Sequence, residues 1–288
     1  FRPSTTRSIT TSMFLDAAQV GPREVNADGG HWYYPDGRPC HTVERADGSG
    51  ERNTTLRDAR KLGLLPSVTK ITKIVDNPGL SRWKQDRLVQ ACIDNPISPG
   101  ENPDSYRERI KQAAQRTMID ARVFGSKFHA AVETLANTGY IKSEFEDIWE
   151  WVAGYCQWVK DNDVRVLQAE VTCVNNRVGY AGQLDAVAKV RGVTTLIDYK
   201  SQSVGEGKKP NFYDSWGWQL AAYREANWPD RPIKIKQVIS LAVNSQRPEE
   251  IWEKVWTRSE LNDAWKAFRY SAKVWQATNS YTPGGRKV

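Results

Sequence analysis

The chain has no long apolar run and few residues of the types that hold zinc or form disulfides. None of its 288 residues lies in an uninterrupted apolar stretch of the roughly 18 residues that a membrane-spanning helix needs. We therefore expect no transmembrane segment and no membrane partner. The first residues, from Phe1 to Thr6, lack the apolar core of a secretory signal, which predicts a cytoplasmic protein.

The cysteines are few and widely spaced. No Cys-x-x-Cys pair occurs among the four of them, which are Cys40, Cys92, Cys156 and Cys173. This spacing predicts reduced thiols rather than a disulfide framework. His31, Cys40 and His41 offer only three zinc ligands with poor spacing, so we do not expect a zinc site.

Charge and aromatic content are compatible with a nucleic-acid partner. Lys and Arg number 41 against 34 Asp and Glu, a net charge of +7. A cationic surface attracts polyanions, although a small positive excess also serves solubility alone. The 12 Trp and 11 Tyr residues include side chains that can stack on unpaired bases, while most aromatic residues of a globular chain belong to the core.

An acid ends one predicted strand, and an acid-x-Lys ends the next. Asp185 follows Gly182-Gln183-Leu184, and Asp198-Tyr199-Lys200 follows an apolar run. Residues 186–197 contain two alternating apolar runs broken by Arg191-Gly192, which predicts a hairpin with both acids on neighbouring strands. Residues i and i+2 of a strand share a face, so Asp198 and Lys200 are expected to point together.

These residues suit phosphodiester hydrolysis. The reaction needs an activated water and a counter-charge for the transition state, and a divalent cation supplies both. Two carboxylates with a backbone carbonyl, for which Tyr199 is the candidate, form a suitable magnesium site. Lys200 would reach the same phosphate or the attacking water. An isolated Asp-x-Lys also occurs on solvated sheet edges, where it has no catalytic role.

Two helical segments carry further candidates. His129 and Glu133 lie four residues apart, as do Gln219 and Tyr223, so each pair shares a helix face. His129 is a metal-ligand candidate or a core or surface histidine. Gln219 and Tyr223 can bond a phosphate or a base, or are polar tips of an ordinary amphipathic face. Gly125 indicates a close approach of helix and sheet or a break between two helices.

Taken together, residues 65–245 resemble the PD-(D/E)xK nuclease superfamily, and within it the RecB-like exonuclease branch with its phage-type and mitochondrial-type members. The matching segments occur in the order of that branch. They are Leu65-Pro66-Ser67-Val68-Thr69, the Gly-x-x-x-His-x-x-x-Glu helix of Gly125, His129 and Glu133, an acid at Glu170, the Gly182-x-x-Asp185 and Asp198-x-Lys200 strands, and Gln219-Leu220-x-x-Tyr223.

The resemblance implies an α/β fold: a restriction-endonuclease-like core with a central mixed β-sheet flanked by helices. The nuclease domain would span residues 64–288, after an irregular N-terminal extension over residues 1–63 that could form an arm over the active site. It also implies that Asp185, Asp198, Glu170, His129 and the Tyr199 carbonyl bind one or two Mg²⁺ or Mn²⁺ ions. Without the resemblance, Glu170 is either a third carboxylate ligand or an outward-facing strand residue. Lys200 would orient the water, and Glu133 and Gly125 would support the site.

The implied activity is a DNA exonuclease acting in recombination, replication or repair, in a phage-infected or prophage-bearing bacterial host. Its partners would be single-stranded or duplex DNA ends and a single-strand annealing or binding protein. A structure-specific endonuclease and an inactive DNA-binding fold remain alternatives. Some RecB-like relatives hold an iron-sulfur cluster, but this chain lacks their clustered C-terminal cysteines, so no cluster is expected.

Candidate DNA contacts flank the catalytic strand. They are Gln219, Tyr223, Trp216 and, on the Gly- and Lys-rich segment 201–213, Lys208 and Lys209. That segment is no phosphate-binding P-loop, because Gln and Lys stand at positions 202 and 209, where the motif has Gly and Ser or Thr. The helix predicted over residues 81–93 adds a basic face that could contact a DNA backbone, although a solvated basic face is the more usual explanation for such residues.

Periodicity predicts the remaining elements. Helices are expected over residues 81–93, capped by Ser81, over 106–137 with a break near Gly125, and over 144–161, 214–226 and 260–277, the last capped by Ser259. Strands are expected over residues 164–174, 180–190, 194–200, 235–243 and 251–256. Residues 1–63 carry turn signals that predict short strands and loops.

Overall fold

A five-stranded mixed sheet forms the centre of the protein. The computed structural model describes residues 31–75, 78–227 and 234–284. The strands of this sheet are β5 (Arg165–Asn175), β6 (Tyr180–Val190), β7 (Val193–Gln202), β8 (Gln237–Asn244) and β9 (Ile251–Val255). Their order in the sheet is β5-β6-β7-β8-β9, with β7 and β8 parallel and the other neighbours antiparallel.

Helices cover both faces of the sheet. They are α1 (Leu56–Leu62), α2 (Val68–Thr72), α3 (Pro78–Asp94), α4 (Pro103–Thr138), α5 (Trp149–Asp161), α6 (Asp214–Glu225) and α7 (Arg258–Thr278). One apolar core joins α2, α6 and α7 to Leu196 and Val238. The other joins α4 and α5 to Ile197 and Ile239. Neighbouring strand residues thus enter opposite cores, which is why the adjacent positions Leu196-Ile197 of β7 and Val238-Ile239 of β8 are all apolar. The expected mixed α/β architecture with helices on both sides is confirmed.

The five strands begin and end within two residues of their expected positions. The expected hairpin is also confirmed, since β6 and β7 pair antiparallel from Val190↔Val193 to Ala186↔Ile197. Arg191 and Gly192 form its turn, both with positive φ, a conformation that glycine adopts without strain. Alternation and the Arg-Gly break therefore located this hairpin correctly.

The expected break at Gly125 is wrong. Helix α4 runs without interruption from Pro103 to Thr138. Gly125 instead allows α4 to pack closely against β7, because a Cβ at this position would lie 2.9 Å from Ser201 Oγ. The single helix predicted over residues 144–161 is in fact two elements. Ser143–Ile148 form a 3-10 helix, and the α-helix begins only at Trp149.

Two predicted N-caps are also wrong. Helix α3 begins at Pro78, so Ser81 lies within it. Helix α7 is capped by Thr257 rather than Ser259: the Thr257 hydroxyl accepts from the Glu260 amide, and the Glu260 carboxylate accepts from the Thr257 amide. Thr257 is preferred because only the residue three positions before Glu260 completes this reciprocal pair.

The described part of the N-terminal region packs into the main core. Short pairs join β1 (Trp32–Tyr33) to β4 (Leu65–Pro66) and β2 (Thr42–Glu44) to β3 (Glu51–Asn53), and Trp32 is fully buried beside core residues of β6 and α7. Short strands and loops were expected in this region, and they are present together with helix α1, which was not expected. At the start of α1 the Thr55 and Asp58 side chains each accept a hydrogen bond from the other residue's backbone amide. Residues 1–30, nearly half of the expected N-terminal extension, lie outside the described residues.

Among the helices that the structure describes, none is both long and apolar enough to cross a bilayer. The longest, α4, carries charged side chains along its whole length.

Candidate active site

Asp185 and Asp198 lie where strands β6 and β7 part. The last pair of the ladder is Ala186↔Ile197, and the same register places the two acids next. There the Asp185 carboxylate takes the place of a backbone carbonyl of the ladder, because its Oδ2 accepts a hydrogen bond of 2.8 Å from the backbone amide of Tyr199. Both acids are buried, with 6% and 1% of their surfaces exposed. The hairpin therefore holds two carboxylates at a fixed position in the interior.

His129 reaches this point from helix α4. Its Nε2 lies 3.0 Å from the carbonyl oxygen of Tyr199, and its Nδ1 lies 3.5 Å from Oδ1 of Asp185. These residues are distant in sequence, and the small Gly125 one turn earlier permits α4 to approach β7 this closely. The expected grouping of His129, Asp185 and the Tyr199 carbonyl is present.

Glu170 completes the cluster from β5. It lies between the pairs Ala169↔Ala186 and Val171↔Leu184, opposite Asp185. Its φ of 51° is left-handed, a conformation that costs a non-glycine residue about 1–2 kcal/mol. Ligand atoms of Glu170, His129 and Asp185 all lie within 4.8 Å of one another. Strained backbone is typical of functional sites, and here it accompanies a buried carboxylate at the cluster.

Glu133 lies one helical turn beyond His129 and lines the same small cavity as His129, Glu170 and Asp185. The cavity is otherwise walled by apolar side chains, among them Val132 and Val166. Glu133 is therefore placed beside the cluster, as the shared helix face predicts. Among the described residues, His31, Cys40 and His41 do not form a comparable ligand group.

The buried carboxylate of Asp198 is only partly compensated. Its Oδ1 accepts from Lys200 Nζ at 2.7 Å, whereas its Oδ2 is buried and accepts no hydrogen bond from the described residues. Burial raises the pKa of Asp198 to about 6, and the nearby Asp185 also raises it, while Lys200 and His129 lower it. An ionised carboxylate buried in this way needs a further cation or donor.

The group fits a hard divalent cation. Glu170 and Asp185 offer carboxylate oxygens, the ligand type that Mg²⁺ and Mn²⁺ prefer, and His129 adds a nitrogen that Mn²⁺ accepts. Asp198 is not in this three-residue group, but it lies close enough to Asp185 and His129 for their charges to affect its pKa. The buried Oδ2 atom of Asp198 is the observation that this fit rests on. A soft-metal site would need thiolates, and no cysteine belongs to the cluster.

Lys200 connects the acids to helix α6. Its Nζ donates to Asp198 and, at 3.2 Å, to Oε1 of Gln219. The Gln219 amide donates in turn to the Tyr223 hydroxyl at 3.0 Å. Tyr223 is only 4% exposed, so it lies beneath Gln219 and fixes its orientation. The expected i, i+4 pair is therefore present, with Gln219 turned to the site and Tyr223 supporting it.

The remaining predicted DNA contacts lie on helix α6 and on the segment that precedes it. Trp216 is partly buried, and its ring centre lies 5.8 Å from Lys200 Nζ. Lys208 and Lys209 are exposed on the segment between β7 and α6. Trp216 therefore lies beside Lys200, whereas the DNA contacts predicted for Lys208 and Lys209 stay predictions.

Sequence reasoning missed several residues that shape the site. The hydroxyls of Tyr155 and Tyr199 lie 3.0 Å apart beneath the hairpin. Fully buried Asn244 holds both backbone groups of Val204, just after β7. An asparagine at the end of an apolar strand was a signal that the sequence offered for the Asn244 contacts. Nothing in the sequence indicates the contact between Tyr155 and Tyr199.

No protein-family model matches this chain, and no curated protein matches it. A solved structure titled "Crystal structure of SSO0001" is similar at 16% sequence identity and a TM-score of 0.26. The likeness covers 48% of this chain and 61% of that chain.

Proposed function

We propose that this chain is a metal-dependent deoxyribonuclease of the PD-(D/E)xK type that hydrolyses phosphodiester bonds from DNA ends. The observation that carries the proposal is the buried Asp198 carboxylate, which is bonded to Lys200 through one oxygen and has a second oxygen without a hydrogen-bond partner among the described residues. Asp185, Glu170 and His129 cluster beside it. A structural ion pair alone would not need three more ligand-type side chains.

Asp185, Asp198, Glu170, His129 and the Tyr199 carbonyl would hold Mg²⁺ or Mn²⁺. Such an ion lowers the pKa of a bound water and offsets charge on the phosphate. The protein's own contribution is preorganisation. Asp185 is fixed by the Tyr199 amide, and His129 is fixed between Asp185 and the Tyr199 carbonyl. Ligands held in this way need no rearrangement when the substrate arrives.

Lys200 is the group that we assign to the substrate. The Lys200 side chain is 19% exposed, whereas the Asp198 side chain that it contacts is 1% exposed. It can therefore reach a phosphate in the site while Asp198 and Gln219 hold it in place. Its charge would stabilise the additional negative charge of the transition state, an effect typically worth about 10²–10³ in rate.

The test is digestion of linear DNA labelled at the 5′ or 3′ end, single and double stranded, with Mg²⁺ or Mn²⁺. The controls are a circular single strand and the Lys200→Ala protein. We expect wild type to shorten linear DNA stepwise from one end and to leave the circle intact.

Two other results would contradict the proposal in different ways. Linearisation of the circle would identify an endonuclease, which needs the same catalytic residues. DNA binding without cleavage under either metal would indicate a nuclease fold that only binds DNA.

A further inference from the structure

A groove separates the start of helix α3 from the segment that leads into α6. Arg82, Trp83 and Asp86 line one wall, and Phe212, Tyr213 and Asp214 line the other. Its volume is about 580 Å³, within the range of roughly 300–1,000 Å³ found for small-molecule pockets. The groove is distinct from the cavity at His129 and Glu170, with which it shares no lining residue.

Aromatic rings connect the groove to the candidate active site. Phe212 and Tyr213 each meet Trp216 edge to face, with ring centres 5.9 and 5.4 Å away. The Trp216 ring centre lies 5.8 Å from Lys200 Nζ, and Lys200 contacts Asp198. If a chain molecule filled the groove with one of its units, the neighbouring unit along the chain would therefore lie beside Lys200.

The wall at residues 211–214 is held in place. Gln202, the last residue of β7, brackets the backbone of Asn211: its amide donates to the Asn211 carbonyl at 2.6 Å, and its Oε1 accepts the Asn211 amide at 3.2 Å. Asn244 clamps Val204 at the start of the same segment. This wall of the groove is thus preformed, which lowers the entropy lost when a ligand binds.

The charges in the groove suit bases better than phosphates. Its lining contains the single cation Arg82 and the two carboxylates Asp86 and Asp214. Two carboxylates repel phosphate, but they accept hydrogen bonds from the amino groups of bases. Aromatic side chains in turn stack on unpaired bases of any sequence. Free cations for a backbone lie outside the groove, on exposed Lys208 and Lys209.

We propose that this groove holds unpaired nucleobases of a single-stranded DNA end, with the adjoining phosphates directed toward Lys200. The inference rests on the proposed function and narrows its substrate. Bases of a duplex are paired and stacked on one another, so they cannot enter between Trp83 and Tyr213. The groove therefore selects a single strand over a blunt duplex end.

The test is the affinity of the full chain for a fluorescent single-stranded oligonucleotide and for a blunt duplex, measured by anisotropy in Ca²⁺ without added Mg²⁺ or Mn²⁺. We expect Trp83→Ala to weaken single-strand binding about tenfold, to leave duplex binding unchanged, and Trp83→Phe to retain most of the affinity. Tyr270→Ala, which removes an aromatic side chain 66% exposed on α7, is the matched control. Thermal melting checks that each variant folds.

Asp86→Asn distinguishes a base from a phosphate in the groove. A phosphate would bind more tightly once this carboxylate is neutralised, whereas a base that donates to it would bind more weakly. Tighter binding by Asp86→Asn, or wild-type single-strand affinity in folded Trp83→Ala, would overturn the proposal.

The same proteins separate this inference from the proposed function. If wild type cleaves DNA and Trp83→Ala binds and cleaves single strands equally well, the groove proposal fails while the nuclease proposal stands. If no metal supports cleavage but Trp83→Ala loses single-strand binding, the groove is a binding site and the hydrolase proposal fails.

Discussion

The ring of Tyr223 lies directly against the backbone of Gly182. A Cβ at Gly182 would lie 2.8 Å from Cε1 of Tyr223 and 3.3 Å from a methyl group of Val68. Tyr223 holds Gln219, and Gln219 holds Lys200. The glycine three residues before Asp185 therefore permits α6 to pack closely enough to place Lys200.

Gly182→Ala is expected to destabilise the protein by about 1–3 kcal/mol, since the added methyl group overpacks a buried contact. Cleavage is expected to fall further than the loss of folded protein explains, because the Tyr223 ring shifts and carries Gln219 with it. Denaturant unfolding and rates on folded protein provide the two readouts. Gly205→Ala is the control, since its nearest neighbour would be 3.6 Å away; equal effects of both changes would contradict the argument.

Lys200→Ala is expected to reduce cleavage by at least about 100-fold. DNA affinity should change little, because it comes mainly from many backbone contacts. Single-turnover cleavage and anisotropy measure the two quantities. Lys266→Ala removes an exposed lysine of α7 that pairs with Asp263 and should behave as wild type. Normal cleavage by Lys200→Ala would mean that the site is misassigned.

Glu170→Gln is expected to weaken Mn²⁺ binding by about tenfold, or about 1.4 kcal/mol, because the carboxylate becomes a neutral amide of the same size. Isothermal titration calorimetry measures the affinity directly. Glu144→Gln, at an exposed position facing Lys142, controls for a general change in charge. An unchanged affinity would exclude Glu170 from the ligand set.

The pH dependence follows from Asp198. Burial raises the pKa of this carboxyl to about 6, above its ordinary value of about 4. The folded state then binds the proton more tightly than the unfolded state does, so without metal the free energy of unfolding is expected to fall as pH rises from about 4 through about 6.

Metal should reverse this trend, because a ligand carboxylate binds in its ionised form. Stabilisation by Mn²⁺, read as a shift in Tm, is expected to be small at about pH 5 and large at about pH 8. Asp198→Asn should flatten both profiles. A shift of equal size at both pH values in wild type would argue against Asp198 as a ligand.

Much of the candidate site followed from local periodicity. The i, i+2 rule placed Lys200 beside Asp198, and they are 2.7 Å apart. The i, i+4 rule paired Gln219 with Tyr223, and they share a hydrogen bond. The break expected at Gly125 was wrong because a helical glycine gives the same local signal whether it ends a helix or admits a neighbour. Whether Gly125 ends the helix or lets it pack closely depends on Ser201, which lies on strand β7 and is distant in sequence.

The sequence alone determined the strands, the hairpin and the faces on which polar side chains lie, because side-chain direction repeats every two residues in a strand and about every 3.6 in a helix. Only the tertiary structure decided what meets across elements: His129 against the Tyr199 carbonyl, Gly182 against Tyr223, Glu170 in its left-handed conformation opposite Asp185, and the groove between α3 and residues 211–214. These contacts join residues far apart in the chain, and they depend on packing distances that no local pattern encodes.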